Sequence, residues 1–258
     1  MRHVRVTSDA VVATDVVLGY GTHIAVEQSS FTIPRPGITA IIGPNGSGKS
    51  TILNAIAGLL PLHSGTVTTS NGNGGCRISY VLQTTKVDEH LPVTVDEVVA
   101  MGRYSTTGWF SRMRAEDRRR VESAMERTGA TDFRTRHLDE LSGGQRQRAF
   151  LAQGLAQDHD ILLLDEPLTG IDFPTAQAID EVIHNEVADG CAVVVTTHDL
   201  TEARVADHVI LVNGRVIASG TPDEVITPEH LRAAYGSAVL HPDHGVPMID
   251  DPAHMNEG

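Results

Sequence analysis

An α/β fold with a mainly parallel core sheet is what this chain predicts, and three observations carry that reading. Apolar runs over residues 38–42, 160–164 and 192–197 lack the in-out alternation of a half-solvated strand, as strands buried on both faces do. Helical patterns over 50–59, 145–156 and 174–187 alternate with them, the rhythm of strand-helix-strand units. A glycine-rich turn, Gly43-Pro44-Asn45-Gly46-Ser47-Gly48-Lys49-Ser50-Thr51, joins the first of these strands to the first of these helices.

In chain order, β patterning covers 10–20 and recurs around 31–33, and Pro34 and Pro36 close it before the core strand 38–42. Further strands are predicted over 65–69 and 77–82, with the glycine-rich surface turn 70–75 between them. The strands outside the core are expected to make up a separate, antiparallel β subdomain. After Pro92 the pattern turns helical: Thr94-Val95-Asp96-Glu97 reads as a capping box ahead of Val98, Val99 and Met101. A second helix over 115–128 carries Glu116, Asp117, Arg118, Arg119, Arg120, Glu122, Glu126 and Arg127, the pattern of a solvated face. These helices define a helical insertion subdomain from about 92 to 145. The α/β order then resumes, and Asn213-Gly214 between two β runs gives the signal of a type I′ hairpin turn. A last helix begins at Pro228 and ends near Tyr235-Gly236. One domain over 1–236 is predicted, followed by a tail over 237–258, rich in Pro, Asp and His, that reads as mobile.

Composition narrows the function classes. At 258 residues and 40% hydrophobic content the chain buries one large core with room for smaller subdomains. Its net charge of -13 disfavours nucleic acid as a partner. The two cysteines, Cys76 and Cys191, lack C-x-x-C spacing, so neither a disulfide framework nor a zinc site is indicated, and a reducing cytosol fits. No stretch approaches the roughly 18 apolar residues of a spanning helix, and the segment 1–6 lacks the apolar region of a signal peptide. Work at a membrane would require another chain as anchor.

The turn 43–51 has the form G-x-x-x-x-G-K-[ST], whose chemistry is phosphate binding. Its glycines let backbone N–H groups turn inward around an anion, Lys49 adds a point charge, and Ser50 offers a hydroxyl to Mg²⁺. A carboxylate at the end of a buried strand supplies the second ion ligand, and Asp165, in Ile161-Leu162-Leu163-Leu164-Asp165-Glu166-Pro167, fills that role. Glu166, next along, is placed to polarise a water for in-line attack on a γ-phosphate. Leu141-Ser142-Gly143-Gly144-Gln145 sits directly before a helix, a second arrangement suited to phosphate.

Joined to the preceding motifs, the segment 141–145 resembles the signature of the ABC-transporter ATPase family, and the resemblance covers roughly residues 12–236 with the motifs in the family's order. It implies the P-loop NTPase fold of ABC ATPases and hydrolysis of ATP to ADP and phosphate, with ATP and Mg²⁺ as cofactors. It implies roles that spacing does not. Tyr20 matches the aromatic that stacks on adenine, and Gln83 the glutamine that touches Mg²⁺ or the attacking water. Asp172 matches an aspartate loop that communicates between subunits, and His198 the histidine that contacts the γ-phosphate. The implied catalytic set is Glu166, His198, Gln83 and Lys49. The family's head-to-tail dimer would place Ser142, Gly143, Gly144 and Gln145 of a second copy against the phosphate loop.

Within that family, the stretch from Val87 to Tyr104, continued by Gly108-Trp109-Phe110, is similar to ATPases of manganese, zinc and iron importers, as is the stretch from Thr227 to Gly236. Siderophore and haem importers carry a related Gly102-Arg103-Tyr104 stretch and are the runner-up. The resemblance implies a transmembrane permease, an extracytoplasmic solute-binding protein, and a place on the cytoplasmic face of the membrane. Met101, Tyr104, Trp109 and Phe110 form either a permease-facing surface or the insertion's own small core. No residue is assigned to the transported metal, and the spacing of His241, His244 and His254 defines no site. A soluble ABC ATPase without a permease is the competing class, opposed by the acidity, the single cassette and the lack of a long coiled coil between phosphate loop and signature.

Overall fold

The computed structural model describes residues 8–72, 76–82, 92–104 and 113–236, together with the backbone of a two-strand pair, Val239–Leu240 and Met248–Ile249. Two long strands, β1 (Ser8–Tyr20) and β2 (His23–Arg35), pair antiparallel, and β4 (Ser64–Thr69) lies on the other edge of β1. The core sheet holds β3 (Gly37–Ile42), β5 (Ile78–Val81), β6 (Ile161–Asp165), β7 (Ala192–Thr197), β8 (His208–Val212) and β9 (Val216–Gly220) in the order β5-β6-β7-β3-β8-β9. All its pairings are parallel except the β8–β9 hairpin.

The unbroken apolar runs have a simple cause. Every residue of β6 and β7 is buried, and alternate side chains enter opposite layers. Leu162, Leu164, Val193 and Val195 pack with Val98, Val99, Leu151 and Leu155 on one face. Ile161, Leu163, Ala192 and Val194 pack with Leu18, Ile52 and Leu53 on the other. Helices α1 (Lys49–Ile56), α2 (Val95–Met101), α3 (Ala115–Thr128), α4 (Gly143–Ala156) and α5 (Phe173–Ala188) supply most of the cover, with the shorter α6 (Leu200–Val205) against β3 and β7, and α7 (Pro222–Val225) and α8 (Pro228–Tyr235) against β8 and β9.

In the helical insertion the capping box forms: Thr94 Oγ1 accepts from the Glu97 N–H at 3.4 Å, and the Glu97 carboxylate accepts from the Thr94 N–H at 2.8 Å. Gly129, at φ 63, ends α3 in the left-handed conformation. The charged α3 is not solvated all round, because Asp117 is buried and accepts from the buried Arg103 at 3.0 Å. Arg103 also donates to the Ala156 carbonyl at 3.0 Å and pairs with Asp158 at 3.2 Å. One guanidinium thus ties the end of α2 and the start of α3 to the end of α4.

Three other differences from sequence expectation are local. β2 runs well beyond the predicted patch around 31–33, since Glu27, Gln28 and Ser30 face solvent and dilute the pattern. α4 starts at Gly143, so the signature glycines sit inside its first turn rather than before it. α6 and α7 are too short to carry helical periodicity.

Candidate functional site

The phosphate loop spans the gap between β3 and α1. Its glycines adopt positive φ: 154 at Gly43, 76 at Gly46 and 106 at Gly48. Two of them have no room for a side chain. A Cβ on Gly43 would stand 2.0 Å from the Val212 carbonyl oxygen, and one on Gly48 2.5 Å from a Val26 methyl. The β8–β9 turn braces the loop from behind, the Gly214 N–H donating to the Ser47 carbonyl at 3.0 Å. Gly48 caps α1 without a side chain, which leaves first-turn N–H groups open to a ligand. Ser47 Oγ is also buried, at 3% residue exposure, and has no hydrogen-bond partner among the described residues. An orphaned hydroxyl in a cradle of backbone donors is suited to a phosphate oxygen.

Lys49 is buried in that cradle and bends back, Nζ donating to the carbonyls of Gly43 at 2.8 Å and Pro44 at 3.2 Å. Burial lowers its pKa, while the charges of Glu166 and Asp165 pull it upward. An ammonium held by two carbonyls and facing two carboxylates is positioned to accept a dense anion.

Parallel register brings the ends of three strands together: Asp165 of β6 faces Thr196 of β7, which faces Ile41 of β3. Asp165 Oδ1 accepts from Ser50 Oγ at 3.1 Å and from Thr196 Oγ1 at 2.7 Å. Thr196 Oγ1 in turn accepts from the Glu166 N–H at 2.9 Å. Glu166 needs that support, since its φ of 50 is left-handed for a residue with a side chain. The Ser50 hydroxyl and Asp165 carboxylate form a hard-oxygen pair beside the phosphate cradle, the donor set that Mg²⁺ takes. Tyr80 of β5 stands next to them. Burial, then the Asp165 charge and a hydrogen bond to it, push its phenol well above the usual range.

Peripheral groups lie where the sequence puts them. Tyr20 ends β1 exposed, its Oη accepting from Asn54 Nδ2 of α1 at 2.9 Å. His198 is exposed just past the end of β7, before Asp199, whose carboxylate caps α6 through the Thr201 N–H at 2.6 Å. Gln83 lies outside the described residues, as do Trp109, Phe110, His241, His244 and His254. Met101 and Tyr104, 39% and 50% exposed, belong to the insertion's surface and not to its core.

The signature segment is built differently. Ser142 Oγ accepts from the Gln145 N–H at 3.3 Å, and Gln145 Oε1 accepts from the Ser142 N–H at 3.1 Å. Ser142 and Gly143 are exposed, and a Cβ on Gly143 would meet nothing within 4 Å. Gly144 is buried against Thr175. The Thr175 N–H donates to Asp172 at 2.8 Å, which caps α5 and holds the Asp172 carboxyl below its usual range. Asp172 therefore stands directly behind the signature through one threonine. Among the described residues, no hydrogen bond joins residues 142–145 to the phosphate loop.

Sequence reasoning missed Thr196, Tyr80, Asn54 and Tyr235. Burial pushes the Tyr235 phenol up to about 12, with the Gly43 backbone opposing, which puts the end of α8 beside the start of the phosphate loop. Thr196, Tyr80 and Asn54 sit in no motif, and Tyr235 lies in the stretch 227–236 without any role that its neighbours reveal. Only the strand register, which sets Thr196 opposite Asp165, would have pointed to one of them.

No helix among the described residues is long and apolar enough to cross a membrane. The family model for the ABC transporter matches residues 26–169. The chain is 41% identical to the zinc transport system ATP-binding protein TroB of Treponema pallidum, across 93% of this chain and 91% of TroB. It is 38% identical to the chelated iron transport system membrane protein YfeB of Yersinia pestis, across 97% of this chain and 88% of YfeB. Among solved structures it resembles the dimeric ATP-binding cassette MJ0796 in a post-hydrolysis state bound to ADP and phosphate, with a TM-score of 0.70 and 27% identity over 82% of this chain and 98% of that one.

Proposed function

Because the chain belongs to the ABC transporter ATP-binding family, we propose that it is the ATP-hydrolysing motor of an importer for a transition-metal ion, manganese, zinc or iron. The observation that carries the motor reading is the meeting of Ser50 and Thr196 on Asp165 beside the phosphate cradle, with Glu166 held next to it by Thr196. The cargo reading rests on the metal transport systems to which TroB and YfeB belong. YfeB's chelated iron also favours a second reading, an ATPase for a siderophore or haem importer.

In this reading the loop 43–51 and Lys49 hold the ATP phosphates, and Tyr20 stacks on the adenine. Ser50, Asp165 and Gln83 would hold Mg²⁺, which when bound neutralises charge on the phosphates. Glu166 orients the attacking water and accepts its proton, while His198 donates to the γ-phosphate as negative charge develops. Ser142, Gly143, Gly144 and Gln145 of a second copy close the site, and Asp172 carries the state of one site to the other. Dimer closure and reopening move a permease at the cytoplasmic face of the membrane, fed by an extracytoplasmic solute-binding protein.

Cellular manganese, zinc and iron after deletion of the gene, with siderophore uptake measured in parallel, test the cargo. A fall in one metal with normal siderophore uptake supports metal-ion import. Unchanged metals with lost siderophore uptake replace it by the second reading.

A further inference from the structure

At the end of the sheet opposite the nucleotide site, three buried side chains converge that ATP hydrolysis does not use. His159 lies two residues before β6, Cys191 immediately precedes β7, and Glu186 lies near the end of α5. His159 Nε2 is 2.9 Å and Cys191 Sγ 3.6 Å from Glu186 Oε2. All three ligand atoms lie within 4.8 Å of one another, and the His159 and Glu186 side chains are only 6% and 5% exposed.

The spacing and chemistry fit one class of ion. A tetrahedral zinc site with bonds of about 2.0–2.3 Å sets its ligand atoms roughly 3.3–3.8 Å apart, so closure here needs shifts of only a few tenths of an ångström for the two measured pairs. Imidazole nitrogen, thiolate sulfur and one carboxylate oxygen form the mixed set that zinc accepts, and that Mg²⁺, an oxygen-seeking ion, does not. The surroundings orient the ligands. His159 Nδ1 donates to the Gln157 carbonyl at 2.9 Å, which turns Nε2 into the cluster. Arg127 holds the other oxygen of Glu186, leaving Oε2 for the ion.

Charge also balances. Without an ion, both ring nitrogens of His159 face oxygen atoms, Nδ1 the Gln157 carbonyl and Nε2 the Glu186 carboxylate, and the Cys191 thiol points at the same carboxylate, so the two ligand atoms that would meet the ion each have room for a proton. A divalent ion would displace the Nε2 proton and the thiol proton into solvent. The buried cluster would keep the same net charge, and the Arg127 guanidinium would stay paired.

We propose that His159, Glu186 and Cys191 bind one borderline divalent cation of the zinc class, leaving a fourth position to water. Such an ion joins the starts of the two strands that end in Asp165 and Thr197, so it clamps the sheet from the side opposite the ATP site. The site is independent of what the permease carries.

Cobalt(II), a spectroscopic stand-in for zinc, tests it on the full chain. One equivalent should give a sulfur-to-cobalt charge-transfer band that zinc bleaches. The band should vanish in Cys191→Ser and persist in Cys76→Ser, and also when His241, His244 and His254 are all replaced by Gln. His159→Gln, which keeps the thiol, should weaken zinc binding by more than about 100-fold, beyond what loss of a group behind a ligand costs. Retained MgATP binding shows that each variant is folded. No band in the unaltered protein overturns the proposal, as does a band that survives Cys191→Ser or requires the tail histidines. The trio would then be a buried ion pair only.

Discussion

The phosphate loop and the signature segment share their local sequence cues, glycines and a serine at a helix start, yet they differ in how far each is finished. Around the loop, Gly43 and Gly48 are packed too tightly for any side chain, Ser47 Oγ has no hydrogen-bond partner among the described residues, Lys49 supplies a positive charge, and Ser50 and Asp165 form a hard-oxygen pair suited to a cation. The signature has its first-turn donors partly satisfied by its own capping box, an exposed Gly143, and no catalytic side chain near it in hydrogen bonds among the described residues. One region is a packed cradle with unused donors, and the other is an exposed, self-capped helix start that, in the proposed dimer, closes the cradle of a second copy.

The largest expected effect is on the finished side. Glu166→Gln should cut turnover by about 10²–10⁴-fold, the range of general-base catalysis, while nucleotide binding measured by calorimetry stays within about twofold. Normal turnover would remove Glu166 from that role. Ser142→Arg probes the other side: turnover should fall on the order of 100-fold, as when one preorganised donor to the reacting phosphate is lost, with MgATP binding to the single chain unchanged. Equal loss of binding would mean that the signature belongs to the same chain's site.

Smaller effects separate the two regions by stability. Gly43→Ala drives a Cβ toward the Val212 carbonyl at positive φ and should cost about 1–3 kcal/mol in denaturant unfolding. Gly143→Ala has open space around it and should stay within about 0.5 kcal/mol, yet still slow turnover by crowding the facing phosphate. If both glycines cost the same stability, the contrast in packing is wrong.

How much of this was legible depended on whether a role is written in adjacent residues. The loop, the strand ending in Asp165-Glu166 and the signature are contiguous motifs, and the core strands followed because burial on both faces erases alternation. Thr196 was hidden, because nothing near it in the chain distinguishes it from Thr197. Its role comes from the β6–β7 register, a long-range fact. The His159, Glu186 and Cys191 cluster was hidden for the same reason: the absence of C-x-x-C spacing argued against zinc, but strand order brings the three together without any local pattern. The solvated reading of α3 failed at Asp117 because a charge row does not reveal which member meets a buried arginine.

Mixing two crippled chains shows whether the signature of one copy completes the phosphate loop of another. Lys49→Ala removes the cradle's charge and keeps the signature, whereas Ser142→Arg does the reverse. In a head-to-tail dimer, each mixed pair rebuilds one site from the good half of each chain. An equimolar mixture should recover up to about a quarter of the unaltered protein's ATPase activity while either variant alone has almost none. A mixture as inactive as its components, or a Ser142→Arg chain that hydrolyses ATP normally by itself, would contradict the account.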